Sequence, residues 1–136
     1  MRILGLDLGT KTLGIAISDR LGLIANPYKT IKYENEEQLL LELDQIINKE
    51  KVEKIVLGNP KNMNNSETLA SNRSIEFKEK LEQKYNLEVI LIDERLSTKE
   101  AENILISSNM RRDKRKTVID SVAATIILES YLNRKR

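Results

Sequence analysis

The chain has 136 residues, of which 40% are hydrophobic and 32% charged, with a net charge of +2; this composition suits one soluble domain, and no apolar run approaches the roughly 18 residues that a membrane span needs. It contains neither Cys nor His. That excludes disulfides, thiolate nucleophiles, Cys/His zinc sites and an imidazole base, so any metal must be held by oxygen and any hydrolysis calls for metal-activated water.

In chain order, Ile3–Leu8 and Leu13–Ser18 are short runs of β-branched residues, leucine and small residues joined by GTKT, the pattern of a hairpin, and a third strand over Leu23–Ile31 completes a meander. A first strand that starts at Arg2 or Ile3 leaves no space for a secretion signal, so a cytoplasmic protein is expected. From Glu36 the period changes: Leu39, Leu40, Leu43, Ile46 and Ile47 lie on one face of a helix that ends near Lys51. KIVLG at 54–58 is a continuous apolar run, as an inner parallel strand covered on both faces requires.

The polar stretch NPKNMNNS reads as a loop, with Ser66 as the cap of a helix that carries Ala70, Ser74, Phe77, Leu81 and Tyr85 on one side. LEVILID at 87–93 is the next strand, and Ser97 with Glu100 forms a capping box for a helix through about Ser108. The run NMRRDKRKT has no apolar period and reads as a loop, after which Thr117 and Asp120 mark the start of a last helix bearing Ile119, Val122, Ala123, Ile126 and Ile127. Three antiparallel strands followed by helix, strand, helix, strand and two helices predict an α/β fold: a ribonuclease-H-like mixed sheet flanked by helices, with residues 1–136 as a single domain.

Asp7 is the anomaly in this pattern. It shares the alternation of Ile3 and Gly5, opposite Leu4, Leu6 and Leu8, and a charge on an inner strand is costly unless it is paired or bound to a metal. Asp93 and Glu94 fall at the carboxyl end of a later strand, where α/β sheets place their ligands, and Asp120 falls near the start of the last helix. Each acid has a plainer role available: a strand end for Asp7, a pair with Arg95 for Glu94, a helix cap for Asp120. Together they form a set that can hold hard cations such as Mg2+ for phosphodiester hydrolysis.

Charge is unevenly spread, with 15 basic and 18 acidic residues in 1–106 against 8 and 3 in 107–136. A basic C-terminal segment suits a polyanion partner, although charge runs are usually solvated surface.

GLDLGTKTLGIAISD, the GNP before the polar loop, DERLSTKEAE and DSVAATIILESYL occur in the order found in the YqgF-type family, and the chain resembles that family over nearly its whole length. The family is described both as pre-16S ribosomal RNA nucleases and as Holliday junction resolvases, with a ribonuclease-H-like fold similar to RuvC-type resolvases. The resemblance implies a nuclease dependent on Mg2+ or Mn2+, with Asp7, Glu94 and Asp120 as catalytic and metal-binding residues. Lys11, Arg95, Arg111, Arg112, Lys114, Arg115 and Lys116 are the candidate nucleic-acid contacts. Two departures concern affinity for substrate: Lys11 stands where the family has arginine, losing a bidentate fork for phosphate, and Asn59 interrupts the family's GLP.

The expected partner is structured precursor ribosomal RNA, with branched DNA as the alternative, and no membrane. A monomer is favoured over a dimer, because no interface is legible in the sequence. Four Tyr and one Phe give little for base stacking, so recognition is expected to rest on phosphates, shape and 2′-hydroxyls. Two rival readings remain open at this level. The first strands also resemble the phosphate loop of actin-like and sugar-kinase ATPases, although 136 residues supply only one of the two domains such enzymes close on a nucleotide. A non-catalytic nucleic-acid-binding scaffold is the other.

Overall fold

The two-residue period of the first strand, β1 (Arg2–Leu8), divides the molecule into two layers of packing. The computed structural model describes residues 2–59, 69–93, 103–104 and 112–135. Leu4 and Leu6 enter a core on one side of the sheet, whereas Ile3 enters a second core on the other side. Asp7 therefore belongs with the second.

β1 is the middle strand of a five-stranded sheet. On one flank lie β2 (Thr12–Ser18), antiparallel to it, and β3 (Ala25–Lys32), antiparallel to β2, so that β3 runs parallel to β1 at the sheet's edge. On the other flank lie β4 (Val52–Asn59) and β5 (Glu88–Asp93), both parallel. The meander, the inner parallel strand and the mixed sheet are as the sequence predicts. β3 starts two residues later than expected because Asp19 organises the preceding turn: its carboxylate accepts from the backbone N–H groups of Leu23 and Ile24 at 2.7 and 3.1 Å. Leu21, Leu23 and Ile24 are left exposed there.

The connections β3–α1–β4 and β4–α2–β5 both step in the same direction across the sheet, so right-handed crossovers put both helices on one face. α1 (Glu36–Glu50) starts at Asn35, whose side chain accepts from the Gln38 N–H at 2.8 Å, and has Glu36 and Glu37 in the first turn, where the helix dipole favours negative charge. It buries Leu39, Leu43, Ile46 and Ile47, while α2 (Leu69–Tyr85) contributes Phe77 and Leu81 to the same core.

The other face belongs to a single helix, α3 (Arg112–Lys135), which contributes Ala124, Ile127, Leu128, Tyr131 and Leu132. It lies close because three adjacent strands present glycine beneath it. A Cβ at Gly5 of β1 would come within 2.7 Å of the Leu128 Cβ, and one at Gly58 of β4 within 2.5 Å of the Ile127 Cδ1. At Gly14 of β2 a Cβ would overlap the backbone carbonyl of Asp120 itself.

α3 also corrects the sequence reading. The stretch from Arg112 to Thr117, expected as a loop, forms its first turns, and Asp120 sits in the third turn instead of the first. Arg and Lys are good helix formers and Asp113 suits the N-terminal dipole; the missing apolar period signals lack of burial, which does not preclude a helix. Asn103 and Ile104 are helical and exposed. The rest of the expected helix at 97–108, the Ser66 cap and the 60–68 loop lie outside the described residues. Among the described residues no helix is long and apolar enough to cross a membrane.

Gly14→Ala should be the most disruptive of the glycine substitutions, since its methyl group meets main chain rather than a side-chain tip that can move. A loss of about 1–3 kcal/mol or more is expected in chemical denaturation.

Candidate active site

The parallel strands β1, β3, β4 and β5 end at one edge of the sheet, the edge where α/β folds usually place ligands. Asp7 is the penultimate residue of β1 and is half-buried. Its neighbour across the ladder is Gly14, and the backbone of Asp120 rests on Gly14 from above. A central strand and the one helix on that face thus bring two carboxylates together that are 113 positions apart in sequence.

The electrostatics record the proximity. Burial raises the Asp7 pKa from 3.8, and the negative charge of Asp120 raises it further, to about 6. Neither influence offers the carboxylate a partner. A structural aspartate would normally have a hydrogen-bond donor or a cation that pulls its pKa down; here the ionised form is penalised in a site that a divalent cation would relieve.

The third predicted acid, Glu94, lies outside the described residues, as do Arg95 and Arg111. Among the described residues no cluster of three or more potential metal ligands occurs. β5 ends at Asp93, which pairs with Asn59 of β4. In the strand alternation position 93 goes with Val89 and Leu91, which pack on the α1–α2 core, while Ile90 and Ile92 pack beneath α3 on the side of Asp7. Asn59 is buried at the end of β4. Arg112, Lys114, Arg115 and Lys116 occupy the first turns of α3.

Lys11 is exposed in the β1–β2 turn. That turn is held from three sides: Gly9 N–H donates to the Thr12 carbonyl at 2.8 Å, Tyr33 N–H to the Lys11 carbonyl at 3.0 Å, and the Tyr33 hydroxyl to the Gly9 carbonyl. Beside it the structure shows a feature that the sequence does not single out. A cleft of ≈ 460 Å³, lined by Thr12, Lys29, Thr30 and Lys32 among others, reaches Asp120. A second, of ≈ 410 Å³, shares Thr12 and Lys32 with it and continues to Lys11. The signal that could have found them is the register Asp7–Gly14–Thr30 across three strands, which needs the bulge between Ile15 and Ala16 to be placed correctly.

The fold defines the class. The structure is similar to Thermus thermophilus RuvC in complex with Holliday junction substrate, with a TM-score of 0.61, 12% identity and coverage of 99% of this chain and 96% of that one. The fowlpox virus resolvase in complex with Holliday junction DNA gives 0.58 at 15% identity, covering 99% of each chain. This is the ribonuclease-H-like fold of RuvC-type resolvases, as the element order predicts. The particular family follows from sequence: residues 1–134 match the model of the RuvX family, described as Holliday junction resolvase, and the chain belongs to that family. It is 50% identical over 138 aligned positions, covering all of both chains, to a Geobacillus sp. (strain WCH70) protein named "Putative pre-16S rRNA nuclease". The chain is accordingly a nuclease of the RuvX family, and the ATPase reading of its first hairpin falls away.

The raised pKa sets the sign of a stability effect. Because folded Asp7 binds its proton more tightly than the unfolded chain does, stability is lost as pH rises from 3.8 to about 6, and the penalty is complete above that. Asp7→Asn in EDTA should therefore be more stable than the wild type at about pH 7, by up to about 3 kcal/mol, with the advantage vanishing near pH 4. Urea denaturation at the two pH values checks this; a variant less stable at neutral pH would make Asp7 a structural residue.

Proposed function

We propose that the chain is a divalent-metal-dependent endonuclease that trims the 5′ end of precursor 16S ribosomal RNA, with Asp7, Glu94 and Asp120 as its metal-binding and catalytic residues and with Mg2+ or Mn2+ as the cofactor. The observation that carries the proposal is the pair Asp7–Asp120: two carboxylates, one of them destabilised by burial and by the other's charge, at the ligand edge of the sheet. Hard oxygen donors without Cys or His suit these cations, and the like-charge repulsion that raises the Asp7 pKa is what cation binding would offset. When bound, such ions activate water and stabilise the leaving oxygen of a phosphodiester.

The chain's own residues supply position and charge. β1 and α3 fix Asp7 and Asp120 on rigid elements, while Glu94, directly after β5, completes the set from the neighbouring parallel strand. Lys11 in the braced turn and the basic start of α3, from Arg111 through Arg112, Lys114, Arg115 and Lys116, with Arg95 beside Glu94, provide the cations that hold the phosphate backbone. The RNA reading is supported by the name that the Geobacillus relative carries. A Holliday junction resolvase is the second reading, favoured by the DNA bound in the RuvC and fowlpox structures. A cytoplasmic monomer fits the RNA reading; a junction resolvase that cuts two strands symmetrically needs a dimer.

Cleavage of precursor 16S RNA and of a four-way DNA junction, each with Mg2+, Mn2+ or EDTA, tests the proposal. RNA cut in metal and spared in EDTA is expected; paired nicks in the junction with intact RNA would transfer the activity to DNA. Asp7→Asn, Glu94→Gln and Asp120→Asn should each lower the cleavage rate by at least about a hundredfold while remaining folded by circular dichroism. A variant that retains full activity leaves the site.

Neutralising Arg111, Arg112, Lys114, Arg115 and Lys116 together should weaken RNA binding and flatten its dependence on salt. An unchanged salt slope would make this segment solvated surface.

A further inference from the structure

The two clefts beside Asp120 form one groove, because Thr12 and Lys32 line both. It runs from Asp120 past Lys29, Thr30 and Lys32 at the β3 edge to Lys11 in the hairpin turn. β3 runs parallel to β1, so the carboxyl end of β3 and the carboxyl end that carries Asp7 share one edge of the sheet. The groove therefore opens directly onto the acidic pair.

Its chemistry is that of a polynucleotide backbone site. Lys11, Lys29 and Lys32 are exposed, and none of them makes an ion pair among the described residues. Elsewhere on the surface, Lys54, Lys78, Lys80 and Lys84 all have carboxylate partners. Thr30 lies in register with Gly14, the residue on which Asp120 rests, and its hydroxyl is buried without a hydrogen-bond partner. Such a group costs free energy unless something satisfies it. Glu34 and Glu42 also line the groove. Carboxylates repel phosphates but accept from hydroxyls, so their presence among lysines fits a strand that carries 2′-hydroxyls as well as phosphates.

We infer that the β3 edge is a substrate track: Lys29 and Lys32, continuing to Lys11, hold the phosphates of one RNA strand as it leads to the bond cleaved at Asp7 and Asp120. This deepens the nuclease reading and rests on it. It adds a second basic arm to the one at the start of α3, on another strand of the fold and independent of it in sequence.

The test is binding in EDTA, where no cleavage occurs, of a labelled single-stranded precursor 16S RNA fragment at several salt concentrations. Lys29→Ala combined with Lys32→Ala should raise Kd roughly tenfold and reduce the slope of log K against log salt by about 1 to 2, the loss of two phosphate contacts. Both side chains are exposed, so the melting temperature should not move. The control is Lys49→Ala combined with Lys84→Ala, which removes the same charge from exposed positions near the ends of α1 and α2. An unchanged slope in the β3 variant, or an equal change in the control, overturns the track while leaving the nuclease reading in place. Wild-type protein that fails to bind the RNA overturns both, and wild type that cuts RNA with an unaffected β3 variant overturns the track alone.

Discussion

The close seating of α3 on glycines of β2, β1 and β4 is the contact on which the rest of the structure depends. Interiors are packed as densely as organic crystals, so a helix can approach a sheet only as far as the largest side chain between them allows. Gly5, Gly14 and Gly58 remove that side chain from three neighbouring strands, letting Leu128, the Asp120 main chain and Ile127 come against the backbone. The contact at Gly14 is the tightest and lies beside Asp7 in the ladder. The same feature therefore closes the second core and sets where the Asp120 carboxylate stands.

Placing Asp7 there has an energetic consequence that the rest of the fold must absorb. Its neighbours on the same strand, Leu4 and Leu6, are fully buried, and the helix above it brings another negative charge. The result is a carboxylate that ionises reluctantly, in a sheet whose two apolar cores supply stability on both sides. Folds commonly keep such local conflicts where chemistry happens, since a site satisfied in the resting protein would have no reason to bind an ion or a substrate.

Much of this was legible in the sequence because the signals are periodic. The two-residue alternation of RILGLDL assigns Asp7 to its own face, and the helical spacing of Leu39, Leu43, Ile46 and Ile47 marks α1, since in both cases burial imposes the period. The signals that failed were of another kind. Arg112–Thr117 is helical without an apolar face, and a period that measures burial cannot detect a solvated turn. The β3 edge is hidden for a different reason: whether Thr30 and Lys32 share the side of Asp7 depends on strand register, and a single bulge reverses every assignment beyond it. Asp7 and Asp120 are recognisable as a pair only when the helix is already laid on Gly14.

The acidic pair also explains why cations flank it instead of neutralising it. A lysine within hydrogen-bond reach of Asp7 would have pulled its pKa down and competed with any metal for the same oxygens. In the described structure the lysines that approach the site stand one strand or one turn away: Lys29 and Lys32 on β3, Lys11 in the hairpin turn. At that distance their charge can attract a polyanion over a Debye length without pairing with the carboxylates. A nucleic acid carries its charge on every phosphate and presents only one bond for cleavage. Separating the groups that hold the strand from the groups that act on the bond lets each be strong without cancelling the other.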